Sequence, residues 1–227
     1  MEQIEVRGSD GAFAALFAKP QKTPAPGIVI VPHIGGITQD MGEWTDHYAA
    51  KGYFAVVPDV FWRVQPGVNP PTDEGRKRNF ERSAKVNADD CVRDVQTAID
   101  YLKAQPGCNG NVGVIGFCFG GKYAYLATTR LGVRAAASFH GVGIGEYLSE
   151  ANRVAGRLSL HFGDNDPIVP MNEVDAIVAA LRANKQVDIG IYAGAEHNFT
   201  RKGGPTYQEK AAVESERASD AALATLF

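Results

Sequence analysis

Gly116-Phe117-Cys118-Phe119-Gly120-Gly121 is the stretch on which the reading of this chain turns. The apolar run Val112-Gly113-Val114-Ile115 leads into it, and a helical pattern from Gly121 to Leu131 leads out. Strand, sharp glycine-flanked turn and helix make the layout of a nucleophile elbow, G-x-S-x-G, with Cys in the place of Ser. The spacing has a steric cause: a nucleophile projecting from so tight a turn tolerates only small residues two before and two after it. The helix behind it directs the positive end of its dipole at the sulfur, which favours thiolate and also an oxyanion. The competing account of Cys118 is a buried structural cysteine in a glycine-rich turn, and its place between a strand and a helix weighs against that. Cys91 shares a helical face with Val95, Ile99 and Leu102 and reads as packing; Cys108 falls in a loop, Pro106 to Gly110, without a partner pattern.

Outward from the elbow the same alternation continues. Ile28–Val31, Phe54–Val57, Ala135–Phe139, Leu158–Phe162 and Val187–Tyr192 are further apolar, strand-like runs. Unbroken runs of this kind are buried on both faces, as in parallel sheets. Helical patterns lie between them at Glu43–Lys51, Asp89–Gln105, Met171–Ala183 and Gln208–Leu226. The opening segment Ile4–Ala18 reads as an antiparallel hairpin around Ser9-Asp10-Gly11, and Phe61–Pro71 as a long loop. The expected architecture is α/β, an α/β-hydrolase fold with a mostly parallel central sheet and helices on both faces, in one domain over residues 1–227.

In such a fold an acid and a histidine follow the nucleophile in chain order. The strand Leu158–Phe162 ends in Gly163-Asp164-Asn165-Asp166-Pro167, and a carboxylate there reaches the edge of the sheet where parallel strands place their ligands. Asp164 and Asp166 both qualify by position; one of them is a turn residue. After the strand Val187–Tyr192 comes Ala193-Gly194-Ala195-Glu196-His197, the place for a general base. The backbone N–H of Phe119 is the expected first oxyanion donor. The loop Val31-Pro32-His33-Ile34-Gly35-Gly36 supplies the second, assigned to Ile34 N–H.

These features resemble the dienelactone hydrolase (carboxymethylenebutenolidase) family over nearly the whole chain. Its marks are Pro58-Asp59-Val60-Phe61 with Pro66-Gly67, Gln105-Pro106 through Gly113, the Cys118 elbow, Gly141-Val142-Gly143, Asp166 with Val169-Pro170, and His197-Asn198-Phe199. The resemblance implies a Cys118-His197-Asp166 triad, choosing Asp166 over Asp164, and an ester or enol-lactone substrate with a free carboxylate. It implies neither metal nor organic cofactor. It also implies arginines for the carboxylate: Arg201, four residues past His197, and either Arg76 or Arg78, whose competing account is a solvated helix start. The family's usual Glu in the first-strand loop is replaced by His33. A charged His33 would stabilise the Cys118 thiolate without substrate; a neutral one would be a loop residue. His140 stands where the family shows pocket aromatics, either lining the site or packed in its loop.

Composition narrows the partners. The net charge of -3 offers nothing to nucleic acid or an anionic membrane surface, and no run spans a bilayer. The start Met-Glu-Gln-Ile-Glu-Val lacks a signal peptide, and three cysteines do not form a disulfide framework, so a cytoplasmic monomer acting on a small ester or lactone is expected. A broader-specificity carboxylesterase and a non-catalytic α/β-hydrolase-fold binding protein are the alternatives.

Overall fold

The computed structural model describes all 227 residues. One eight-stranded sheet runs β1-β2-β4-β3-β5-β6-β7-β8. Its members are β1 (Glu2–Gly8), β2 (Gly11–Ala18), β3 (Ala25–Val31), β4 (Phe54–Pro58), β5 (Cys108–Phe117), β6 (Ala135–Phe139), β7 (Arg157–Gly163) and β8 (Val187–Tyr192). β1/β2 and β2/β4 pair antiparallel; β3/β4, β5/β6, β6/β7 and β7/β8 pair parallel. Parallel neighbours need crossover connections, and the helices supply them: α1 (Gln39–Ala50), α2 (Asp73–Ser83), α3 (Ala88–Lys103), α4 (Gly121–Arg130), α5 (Met171–Leu181) and α6 (Glu209–Leu223). This is the mostly parallel α/β arrangement that the apolar runs predict.

The chain divides into two compact units, 1–112 with Phe227, and 113–226. In the first, the hairpin β1/β2 turns at Ser9-Asp10, with Gly8 opposite Gly11. β3 and β4 are buried at every position, as continuous β-branched runs demand. α3 begins at Asn87, whose side chain accepts the N–H groups of Asp89 and Asp90. It buries the stripe Cys91, Val92, Val95, Ala98, Ile99 and Leu102, and thereby places Cys91 in the core. Phe17 meets Tyr101 of this helix edge-on at 5.4 Å. In the second unit β6 is buried throughout and β7 nearly so, while β8 has four half-buried positions and two exposed ones, Asp188 and Ile191. An edge strand has one paired side only, so Val187–Tyr192 departs from the fully buried strand its composition suggests.

Two further elements differ from the sequence reading. β5 begins at Cys108, so this cysteine lies at the start of a strand rather than in a loop. α2 emerges from the segment after the long loop, although its only buried residues are Gly75 and Arg82. A helix without an apolar stripe gives no periodic signal. Its start is nonetheless capped by Thr72, which accepts Gly75 N–H, with Asp73 and Glu74 in the first turn.

Candidate active site

The elbow forms as its glycines require. Cys118 has φ 52°, in the left-handed region, at the junction of β5 and a 3-10 turn, Cys118–Gly120, that opens α4. That conformation costs a non-glycine residue about 1–3 kcal/mol and persists only where the surroundings enforce it. Here a Cβ on Gly116 would stand 2.0 Å from the Gly120 carbonyl oxygen, so no larger residue fits below the turn. The Cys118 carbonyl accepts the N–H of Val142 at 3.0 Å, tying the elbow to the segment after β6.

β7 ends in the acid loop. Asp166 is 5% exposed; its Oδ2 lies 2.7 Å from His197 Nδ1, and its Oδ1 accepts the N–H groups of Ile168 and Val169 at 2.8 and 3.1 Å. Asp164 has a different role: its carboxylate accepts Gly194 N–H at 2.6 Å and so fastens the acid loop to the loop that carries His197. Asn165 N–H donates to the Ala195 carbonyl at 3.1 Å in the same junction. The two loops approach so closely that a Cβ on Gly163 would stand 2.0 Å from the Ala195 oxygen.

The base loop is held from both sides of His197. Ala195 and Phe199 are core residues packed with Ala211 of α6. Asn198 takes φ 64°, and the Thr206 hydroxyl donates to the His197 carbonyl at 2.6 Å. Burial of the His197 ring disfavours its cation. The Asp166 hydrogen bond and the adjacent Cys118 sulfur outweigh that burial, and the pKa rises to about 9. Although Cys118 acts on the ring, Nε2 is buried without a hydrogen bond of good geometry. The sulfur and the ring are neighbours that are not locked together.

His140 is packed rather than open to a pocket. It is 2% exposed, and its ring lies edge-on to that of His197 at 4.8 Å. Arg201 is exposed on the continuation of the base loop, where its N–H donates to Asn198 O at 2.9 Å. No group of three or more His, Cys, Asp or Glu side chains converges to hold a metal ion, and no helix is long and apolar enough to cross a membrane.

In the first unit, His33 is engaged within its own loop. Gly35 N–H donates to its Nδ1 at 2.9 Å, Nε2 lies 3.0 Å from Asp40 Oδ2, and Gly36 N–H donates to its carbonyl. A ring nitrogen that accepts an N–H carries no proton, so His33 is the neutral Nε2–H tautomer donating to Asp40. The imidazolium considered for His33 does not fit this arrangement. The Gly35 and Gly36 amides of that loop are both engaged on His33.

Arg76 and Arg78 lie exposed on α2, paired with Asp73 at 3.6 Å and Glu74 at 3.4 Å. Four residues beyond Arg78 is the arginine that sequence reasoning missed. Arg82 is 2% exposed; its guanidinium donates to the carbonyls of Ile34 (2.9 Å), Gln65 (3.1 Å) and Gly67 (2.6 Å) and lies 4.2 Å over the Phe61 ring. Burial lowers its pKa, and the charge of Asp59 opposes that. Asp59, itself buried, accepts the N–H groups of Phe61 and Gly67. The available signal was weak: Arg82 falls seven residues after Gly75, on one helical face with it.

Comparison with known proteins follows the same lines. The sequence model described as the Dienelactone hydrolase family matches residues 13–226. A carboxymethylenebutenolidase of Pseudomonas putida is 33% identical over 223 residues, covering 96% of this chain and 94% of that one. Another, from Pseudomonas sp. strain P51, is 30% identical and covers 92% of this chain and 87% of its own. Among solved structures, a dienelactone hydrolase-like promiscuous phosphotriesterase from metagenomic libraries superposes with TM-score 0.78 at 24% identity, covering 100% of this chain and 98% of that one. The Pyrococcus furiosus esterase Pf2001 gives 0.72 at 15% identity, covering 96% and 90%. At these identities the structures establish the fold.

Proposed function

Since the chain belongs to the dienelactone hydrolase family, whose members act on lactone and ester bonds, we propose that it cleaves a small carboxylate-bearing lactone through a Cys118-His197-Asp166 triad and an acyl-enzyme. The observation that carries this reading is the 2.7 Å contact of His197 Nδ1 with buried Asp166, in one unit with a strained elbow cysteine. Asp166 fixes the tautomer that keeps Nε2 on the side of the sulfur. Cys118 Sγ attacks the carbonyl carbon while His197 holds the thiol proton. The tetrahedral oxyanion is met by Phe119 N–H. Ile34 N–H is the second donor by its place in the motif. Collapse breaks the acyl–oxygen bond, and His197 gives its proton to the departing ring oxygen. Water, deprotonated by His197, then hydrolyses the thioester and releases Cys118.

The substrate's charge is a separate matter. Arg201 is the proposed carboxylate partner by its place four residues past His197. Arg76 and Arg78, the other two, face Asp73 and Glu74. That engagement also favours a second reading, a carboxylesterase of broader specificity. A panel of acidic lactones, neutral lactones and aryl acetates, assayed with wild type, Cys118→Ala and Arg201→Ala, separates them. Cys118→Ala abolishes turnover, and retained activity would refute the triad. Cys91→Ala leaves turnover intact. Arg201→Ala narrows the preference for acidic lactones by roughly 1.5–3 kcal/mol; an unchanged ratio removes the clamp and leaves the broader esterase.

A further inference from the structure

The segment that follows β6, Phe139-His140-Gly141-Val142, touches both halves of the proposed nucleophile–base pair. Val142 N–H donates to the Cys118 carbonyl, and the His140 ring lies edge-on to His197 at 4.8 Å with an interplanar angle of 65°. His140 is itself anchored. Its N–H donates to the His161 carbonyl at 2.7 Å, its Nε2 is 3.3 Å from the Thr200 hydroxyl, and its ring meets Phe199 edge-on at 5.7 Å. Its φ is 41°, so three non-glycine residues of this unit take the left-handed region: Cys118, His140 and Asn198. Two are the elbow residue and the neighbour of His197, where strain serves to aim a side chain. The third has no such role in the scheme above. Strain at a buried position persists only when the surroundings enforce it, and here the enforced conformation lets one turn hold the elbow through its amide and the base through its ring.

We propose that His140 is a positioning residue, its ring setting the orientation of His197 relative to Cys118. The proposal rests on the reading of these two as base and nucleophile. The need for it is visible in the geometry. Nδ1 of His197 is fixed by Asp166, but Nε2 meets Cys118 without a hydrogen bond of good geometry. A ring anchored at one nitrogen can still tilt about that bond. Packing against its face or edge is what remains to stop the tilt, and His140 is the buried ring placed to do so.

The test compares three variants of the whole chain. His140→Gly removes the ring and accepts the left-handed backbone; His140→Phe keeps the ring and drops the contact with Thr200; His140→Asn tolerates the backbone and takes the place of Gly if that variant fails to fold. Two readouts are used: kcat and KM on the best ester substrate, and the NMR resonance of the His197 Nδ1 proton shared with Asp166, which needs no turnover. The expected result for His140→Gly is a loss in kcat of roughly tenfold to a hundredfold, as for a misplaced reacting group, with KM nearly unchanged and the proton resonance broadened by exchange. His140→Phe restores the sharp resonance and most of kcat. Wild-type kcat with a sharp resonance in His140→Gly overturns the proposal, and so does equal impairment of the Phe and Gly variants. Hydrolysis retained in Cys118→Ala would instead overturn the triad while leaving the resonance result standing.

Discussion

Replacing Asp166 by Asn changes one atom facing His197 and reverses the logic of the ring. In wild type the carboxylate Oδ1 accepts two backbone N–H groups, from Ile168 and Val169, and Oδ2 faces Nδ1. An Asn side chain satisfies those two donors only with its oxygen, which turns its NH2 towards Nδ1. Nδ1 must then accept, and the ring proton moves to Nε2, the side of Cys118, where it cannot take the thiol proton. The electrostatics change as well. His197 titrates at about 9 against an ordinary 6.5, roughly 3 kcal/mol of net preference for the imidazolium. That stabilisation is fully present below the unfolded value near 6.5 and is lost as pH rises through about 9. With the carboxylate charge gone, burial, the largest influence on the ring, acts against a weaker opposition. We expect the His197 midpoint in Asp166→Asn at or below the ordinary histidine range, and kcat/KM lower by roughly 10²–10⁴-fold. The assay is an NMR titration of ring-labelled histidine, run beside the pH dependence of kcat/KM. A midpoint still near 9, or a loss of less than tenfold, would show that Asp166 does not orient the base.

Three further perturbations follow from the same contacts. Gly163→Ala drives a methyl to 2.0 Å from the Ala195 carbonyl. It should cost roughly 1–3 kcal/mol in urea unfolding and lower kcat by parting the acid and base loops; wild-type stability would show that the junction yields freely. Arg82→Met strips three loop carbonyls of their donor and leaves the Asp59 carboxylate buried without its countercharge. A loss of roughly 3–5 kcal/mol is expected by chemical unfolding, and a loss under 1 kcal/mol would exclude this role. His161, among Ser159, Ser219 and Tyr192, is held neutral by burial with its pKa lowered to about 3. The unfolded chain binds that proton near pH 6.5, so stability falls as pH drops from there towards 3, by at most roughly 5 kcal/mol. His161→Gln should flatten that acid limb, and an identical limb in the variant would place the acid sensitivity elsewhere.

What the sequence makes legible is what carries its own geometry. Gly116 and Cys118 declare an elbow because the turn excludes other residues at short range, and the β-branched runs declare buried strands because nothing else suits both faces. The proposed acid and base are visible as residues at the ends of strands, but which of Asp164 and Asp166 meets the histidine is not. It depends on Gly194 lying beside one and His197 beside the other, and those partners are some thirty residues away. Arg82 shows the same limit. Nothing in its own stretch of sequence sets it apart, and it is buried where two loops present three carbonyls to it. β8 errs in the opposite sense, with a composition suited to the interior and a place at the sheet's edge.

His33 and His140 sharpen the point, since a histidine's chemistry is set by what meets its two nitrogens and its faces. Beside the glycines of its loop, His33 invites a charged role in activating the thiol. Its Nδ1 accepts an amide of that very loop, which makes the ring neutral and turns it into a brace. The histidine whose pKa is raised is instead His197, where Asp166 and Cys118 outweigh the burial of the ring. His140, ambiguous in the sequence, is buried edge-on to that ring. The groups that raise the His197 pKa, Asp166 and Cys118, come from the loop after β7 and from the elbow, within one unit. His33 is braced by Gly35 and Asp40 on its own side of the sequence, so the two histidines owe their states to separate sets of neighbours.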